Sequence, residues 1–283
     1  MTVAYDGTDF CGWQAQRPLV DVEQIDGTPT TTPAPPTPPA PPLRERIDLR
    51  TVQHVLEVAI RDVVREEVSV LGASRTDSGV HAVMQTAAFT TSDERRGPVD
   101  ERLGLAVNSR LPEDVVITDL VRTRDDFDPI RDCVSKGYRY SIRTGRLRPI
   151  RDRRFVHWMW EELDHAAMHE AARRLVGEHD FASFAAAGHG RESTVRTVFA
   201  CSVARPEAGL IQIDVSGGGF LYNMVRIIAG TLVDVGKGKK KPADIEGILA
   251  ARDRRSAGMT MPARGLCLMW MRYPEDGDAS CAS

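Results

Sequence analysis

"TVQHVLEVAIRDVVREEVSVLGASRTDSGVHAVMQTAAFTT", residues 51–91, changes its hydrophobic period partway along. Val52, Val55, Leu56, Ala59, Ile60, Val63 and Val64 recur at i, i+3, i+4 spacing, which predicts an amphipathic helix capped by Thr51. "VSVLGAS" and "VMQTAAFTT" then read as strands, rich in β-branched residues, on either side of a polar turn. A helix followed by two strands that can pair antiparallel predicts an α+β fold, with helices packed on a mostly antiparallel sheet.

The remaining segments extend that pattern. Met1 to Tyr5 reads as a short strand, "VDERLGLAVNSRL" as a helix and "DVVITDLVRT" as a strand. "SKGYRYSIRT" places Tyr138, Tyr140 and Ile142 on one strand face, and Ile211, Ile213 and Val215 do the same in "LIQIDVSG". "DHAAMHEAARRLVG" predicts a helix closed by Gly177, and "TVFACSVARP" a strand. "FLYNMVRIIAGTLVDVG" predicts a long apolar helix from Phe220, "PADIEGILAAR" a shorter one opened by Pro242, and "GLCLMWMRY" a last strand. The two halves, residues 1–145 and 146–283, share this grammar without a residue-level repeat. Residues 18–48 interrupt the first half. "GTPTTTPAPPTPPAPP" holds eight of the seventeen prolines and no charge, so it has little to bury and reads as an extended or disordered insertion.

The 283 residues are 42% hydrophobic and 27% charged, as expected for a globular protein. No apolar run reaches the roughly 18 residues of a membrane span, and the start lacks a signal-peptide pattern, so the cytoplasm is the expected compartment. Five dispersed cysteines without a C-x-x-C predict reduced thiols and no structural zinc. The net charge of −3 gives no hint of nucleic acid, but local charge does. "RTGRLRPIRDRR", residues 143–154, carries six arginines against one aspartate, and "GKGKKK" supplies Lys237, Lys239, Lys240 and Lys241. Such runs can neutralise phosphates, although a charge run is as often only a solvated face.

Several motifs are excluded by spacing. "GTLVDVGKGKK" has five residues between Gly230 and Gly236 and lacks the hydroxyl of a phosphate loop, and "GTDFCGW" has Trp13 where lysine is required. Thr76 occupies the second glycine position of a nucleophile elbow. His165 and His169 lack the glutamate of H-E-x-x-H. Asp77 survives. A carboxylate after a strand most often caps its own turn. Here Arg75 lies two residues away and can favour the charged carboxylate, and Gly79 frees the backbone beyond it. The tyrosine strand and basic runs offer the aromatic and phosphate contacts that an unstacked RNA base needs. A carboxylate beside them suggests covalent or acid–base chemistry on a base.

These residues resemble those of the TruA-type tRNA pseudouridine synthases, over nearly the whole chain outside the proline insert. "YDGTDFCGWQAQ" is similar to the family's opening signature, "RTDSGVHA" to its catalytic motif, "KGYRY" to its tyrosine motif, and "GGGFLYNMVRIIAGTLVDVGKGK" and "PARGLCL" to its C-terminal blocks. The resemblance implies the pseudouridine synthase fold: two similar α/β halves sharing one continuous sheet, with a central active-site cleft. It implies conversion of uridine to pseudouridine at positions 38 to 40 of the tRNA anticodon arm, by a homodimer that uses no metal and no cofactor. Asp77, Tyr138 and Arg226 would be catalytic, and Arg75, Leu266, Tyr140 and Phe220 would contact substrate. Ser74 stands where the family usually has glycine, and "FDPIRDCVSK" departs from the commoner His-Ala-Arg version near the tyrosine strand. Two rival readings are a catalytically silent tRNA-binding or RNA-chaperone protein of the same fold, and an enzyme of another class acting on a uridine-like small molecule. The presence of Asp77, Tyr138 and Arg226 argues against the first, and the basic runs against the second.

Overall fold

A computed structural model of the chain describes residues 1–16, 19–21, 44–46, 49–92, 95–186 and 193–274. Its strands are β1 (Thr2–Tyr5), β2 (Leu19–Asp21), β3 (Arg44–Arg46), β4 (Leu71–Gly72), β5 (His81–Ala88), β6 (Val115–Asp119), β7 (Ser135–Thr144), β8 (His157–Met159), β9 (Gly177–Asp180), β10 (Val195–Glu207), β11 (Leu210–Gly217) and β12 (Leu266–Arg272). Its helices are α1 (Val52–Val64), α2 (Asp100–Asn108), α3 (His165–Arg173), α4 (Met224–Gly236) and α5 (Asp244–Ala251).

Ten strands form one open sheet in the order β6-β1-β5-β12-β7-β11-β10-β9, with β4 beside β5 and β8 beside β7. Only β5–β12 and β7–β8 pair in parallel within it. The last strand therefore lies in the middle of the sheet and joins β5 to β7, with Cys267 opposite His81 and Leu266 opposite Tyr140. The α+β architecture with a mostly antiparallel sheet is the one expected. β7, which precedes the anticipated boundary at 145, pairs with β8, β11 and β12.

The alternation in β7 and β11 works as the sequence predicts. Tyr138, Tyr140, Ile142, Ile211, Ile213 and Val215 all face the core. In α1, Thr51 caps the backbone of His54 and the Val52, Leu56, Ala59, Ile60, Val64 stripe is buried. α4 is apolar nearly all round, and eleven of its thirteen residues are buried, as a helix enclosed on every side requires.

Other boundaries differ from the sequence reading. α4 starts at Met224, not Phe220, because Asn223 takes the left-handed conformation (φ 61°) and stops the helix from extending backwards. α3 ends at Arg173, and Gly177, at φ 115°, opens β9 instead of closing the helix. β4 is two residues long. The short strands β8 and β9 have too few residues to show a period. The ends of the expected insertion pair as an antiparallel ribbon, Leu19 opposite Arg46 and Asp21 opposite Arg44. The proline-rich centre of that insertion lies outside the described residues.

α4 meets the segment 257–261 through glycines. A Cβ on Gly230 would stand 1.9 Å from the Met259 carbonyl oxygen. Thr231 Oγ1 accepts from the Gly258 amide at 2.9 Å. We expect Gly230→Ala to destabilise the protein by about 1–3 kcal/mol through overpacking. Gly247→Ala, on α5 with nothing within 4 Å of the new Cβ, should be neutral or stabilising by up to about 1 kcal/mol. Urea unfolding of the two variants checks the contrast, and equal stabilities would refute it.

Candidate active site

The turn carrying Asp77 connects β4 to β5, and the turn after β1 holds it. Trp13 donates its amide to Thr76 O at 3.0 Å, and Gly79 donates to Phe10 O at 3.3 Å. Ser78 Oγ donates to the same Phe10 carbonyl at 3.1 Å, and the Tyr5 hydroxyl shares a hydrogen bond of 2.8 Å with Thr76 Oγ1. The two turns approach so closely that side chains are excluded between them. A Cβ on Gly12, whose φ is 96°, would lie 2.8 Å from Thr76 O, and one on Gly7 would lie 2.0 Å from Val80 O.

Asp77 faces Arg226 of α4. Arg226 Nη1 lies 3.1 Å from Asp77 Oδ2, with the side chains 17% and 28% exposed respectively. The same nitrogen donates to Asn223 Oδ1 at 2.7 Å, and Nε donates to Met261 O at 2.6 Å. The guanidinium is thus fixed from two sides before it meets the carboxylate. Arg75, the nearer arginine in sequence, is exposed and makes no ion pair among the described residues. The partner of Asp77 comes from 149 residues away, not from two.

Tyr138 completes the cluster. It is 7% exposed, its ring meets Phe220 edge-on at 5.4 Å and 88°, and its hydroxyl shares a 2.9 Å hydrogen bond with Ser74 Oγ. Burial pushes the phenol up to about 12, and the charge of Asp77 acts in the same direction. Little of the ring is open to a base in this conformation. Tyr140 is enclosed, and its hydroxyl donates to Pro262 O at 2.8 Å, which ties β7 to the turn leading into β12. Leu266, 6% exposed, begins β12 opposite Tyr140. The structure therefore brings Asp77, Arg226, Tyr138 and Phe220 together, leaves Arg75 in solvent beside the turn, and puts Tyr140 in the core. Asn223, the Met261 carbonyl and Ser74 are part of the cluster that sequence reasoning missed. Asn223 had a signal, since asparagine just before an apolar helix tolerates the left-handed cap.

The basic runs are partly neutralised within the fold. Arg143 pairs with Asp152 at 2.9 Å and Glu207 at 2.7 Å, Arg154 reaches Asp6 and Asp9 at 3.2 and 3.3 Å, and Lys237 pairs with Glu161 at 2.9 Å. Arg146, Arg148, Arg151 and Arg153 are exposed and have no acidic partner among the described residues. His169, one of the two helix histidines, accepts the Val203 amide at Nδ1.

A family model described as tRNA pseudouridine synthase matches residues 44–127 and 171–274. The chain is 40% identical over 273 residues to the tRNA pseudouridine synthase A of Pelobacter propionicus, covering 96% of this chain and 98% of that one. It is 38% identical over 273 residues to the tRNA pseudouridine synthase A 2 of Clostridium tetani, covering 96% and 97%. The same level, 38% over 274 residues with 96% and 98% covered, holds for the tRNA pseudouridine synthase A of Ruminiclostridium cellulolyticum. The chain belongs to the tRNA pseudouridine synthase family.

His81, just after the turn that carries Asp77, links that turn to the arginine run. Its Nδ1 accepts the Gly7 amide at 3.0 Å, which leaves Nε2 to donate to Arg154 O at 2.9 Å. Asp6 Oδ1 also lies 3.2 Å from Nδ1 and would favour a charged ring, but burial outweighs it and lowers the pKa of His81. An unfolded histidine titrates near about 6.5. The unfolded chain thus takes up this proton more readily, and the stability His81 confers is complete above that pH and declines as pH falls below it. In His81→Asn, the acid-side loss of urea stability between about pH 6.5 and 5 should be shallower than in the parent. Parallel pH dependences would assign the loss to another group.

Proposed function

We propose that this protein isomerises uridine to pseudouridine in tRNA, at positions 38 to 40 of the anticodon arm, as a homodimer in the cytoplasm. The observation that carries the reading is the partly buried Asp77–Arg226 pair at 3.1 Å beside Tyr138, in a chain of this family. The reaction breaks the bond between N1 of uracil and C1′ of ribose and forms one between C5 and C1′. N1 gains a proton and C5 loses one, so nothing is oxidised or reduced and no electron carrier is needed. Asp77 starts the cleavage, with Oδ2 held by Arg226 and Oδ1 left for the substrate. The target nucleotide must leave its stack, at a cost of a few kcal/mol. Phe220 and Tyr138 supply the aromatic wall it meets, and Leu266 closes the pocket so that the detached base stays to be rejoined. Arg75, exposed beside the turn, is placed to help extrude the base. The unpaired arginines of the 146–153 segment contact phosphates, so tRNA binding weakens as salt rises.

Asp77→Asn keeps the shape of the side chain and removes its charge. It should bind tRNA within a few-fold of the parent yet release no tritium from tRNA carrying uridine labelled at C5. Normal tritium release would remove Asp77 from the chemistry. Arg226→Lys keeps the charge but not the fork that reaches Met261 O, Asn223 and Asp77 together. Misplacing the carboxylate should lower the single-turnover rate by about 10²-fold. An unchanged rate would show that aiming the carboxylate is not what Arg226 does.

A further inference from the structure

We infer that Ser74 and Lys136 are positioning residues that set the direction of the hydrogen bond on the Tyr138 hydroxyl. The inference rests on the reading of Tyr138 given above and extends it to two residues outside the expected catalytic set. Ser74 Oγ lies 2.9 Å from Tyr138 Oη, and Lys136 Nζ lies 3.3 Å from the same Ser74 Oγ and 3.5 Å from Ala73 O. Lys136 and Tyr138 are two residues apart on β7, so their side chains leave the same face of the strand. Both meet the chain just ahead of the catalytic turn.

Donor and acceptor inventory leaves either hydroxyl able to donate, and the Lys136 ammonium biases the choice. An ammonium can only donate, so Lys136 takes one lone pair of Ser74 Oγ. The hydroxyl keeps one proton and one lone pair. A cation on its oxygen polarises the O–H bond and makes Ser74 the better donor, so Ser74 donates to the phenol oxygen. The phenol proton is then left pointing away from Ser74, free to engage the substrate side. Burial and Asp77 both disfavour the phenolate, while the hydrogen bond from Ser74 favours it. The dyad therefore opposes the influences that make Tyr138 a weaker acid.

Ser74 does this without bearing the fold. Its backbone is clamped by the buried Gln85 amide, with Ser74 N donating to Oε1 at 3.3 Å and Nε2 donating to Ser74 O at 2.5 Å. Removing the hydroxyl leaves both clamps in place.

The full-length protein is labelled with 3-fluorotyrosine, and the Tyr138 resonance is assigned by its loss in Tyr138→Phe. Ser74→Ala and Lys136→Met should each move that fluorine resonance and leave the one from Tyr140 in place, and Ser74→Thr should return it toward the parent position. In single-turnover assays Ser74→Ala should lose about tenfold in rate, with tRNA affinity within twofold and unfolding midpoint unchanged, and Ser74→Thr should recover most of the rate. A Tyr138 resonance unmoved by Ser74→Ala, or a parental rate in that variant, overturns the inference. If Tyr138→Phe itself keeps the parental rate, the part given to Tyr138 in the reaction falls first and the inference falls with it. If Tyr138→Phe is slow while Ser74→Ala is normal, only the inference fails.

Discussion

One guanidinium links helix α4 to the turn carrying Asp77, 149 residues away in the sequence. Arg226 sits on a helix that is otherwise almost wholly apolar, and a cation there must be paired to be tolerated. Its partners are a carbonyl of the segment packed on that helix, the asparagine that caps it, and Asp77 from the far half of the sequence. Each partner removes a degree of freedom from the next. The Met261 carbonyl fixes Nε, Asn223 fixes Nη1, and only then is the carboxylate aimed. The close glycine contact between α4 and residues 258–259 serves this geometry, because it is what brings Met261 within 2.6 Å.

The other side of the pair depends on backbone, not side chains. The turn after β1 and the turn carrying Asp77 exchange main-chain hydrogen bonds at Trp13–Thr76 and Gly79–Phe10. Glycine is needed at Gly7 and Gly12 because the opposing backbone occupies the space of a Cβ. This explains physically why "YDGTDFCGW" and "RTDSGVH", far apart in sequence, form one unit.

Legibility in the sequence followed the length of the pattern. Thirteen residues of α1 and ten of β7 carry several repeats of their period, so both could be read directly. β8 and β9, at three and four residues, carry none. The apolar run through Phe220 and Leu221 places the start of α4 too early, because a single left-handed residue, Asn223, bounds the helix. For the site, Asp77 was visible as a carboxylate in a turn, and the partner inferred from proximity in sequence was the wrong arginine. Spacing of two residues in a turn says nothing about direction, and Arg75 points to solvent. No local pattern connects positions 149 residues apart, so the pairing with Arg226 is not legible in the sequence.

The charge on this protein is divided by function. Arg143, Arg154 and Lys237 are tied to acidic residues of other segments. Arg154 in particular is held by Asp6 and Asp9 of the first turn and gives its carbonyl to His81. The same run that begins and ends in structural ion pairs leaves its middle arginines exposed. A segment anchored at both ends by Arg143 and Arg154 holds those cations more firmly than a loose basic tail would. That arrangement reconciles a net charge of −3 with an anionic substrate, because what an approaching phosphate meets within a Debye length is the local field and not the total.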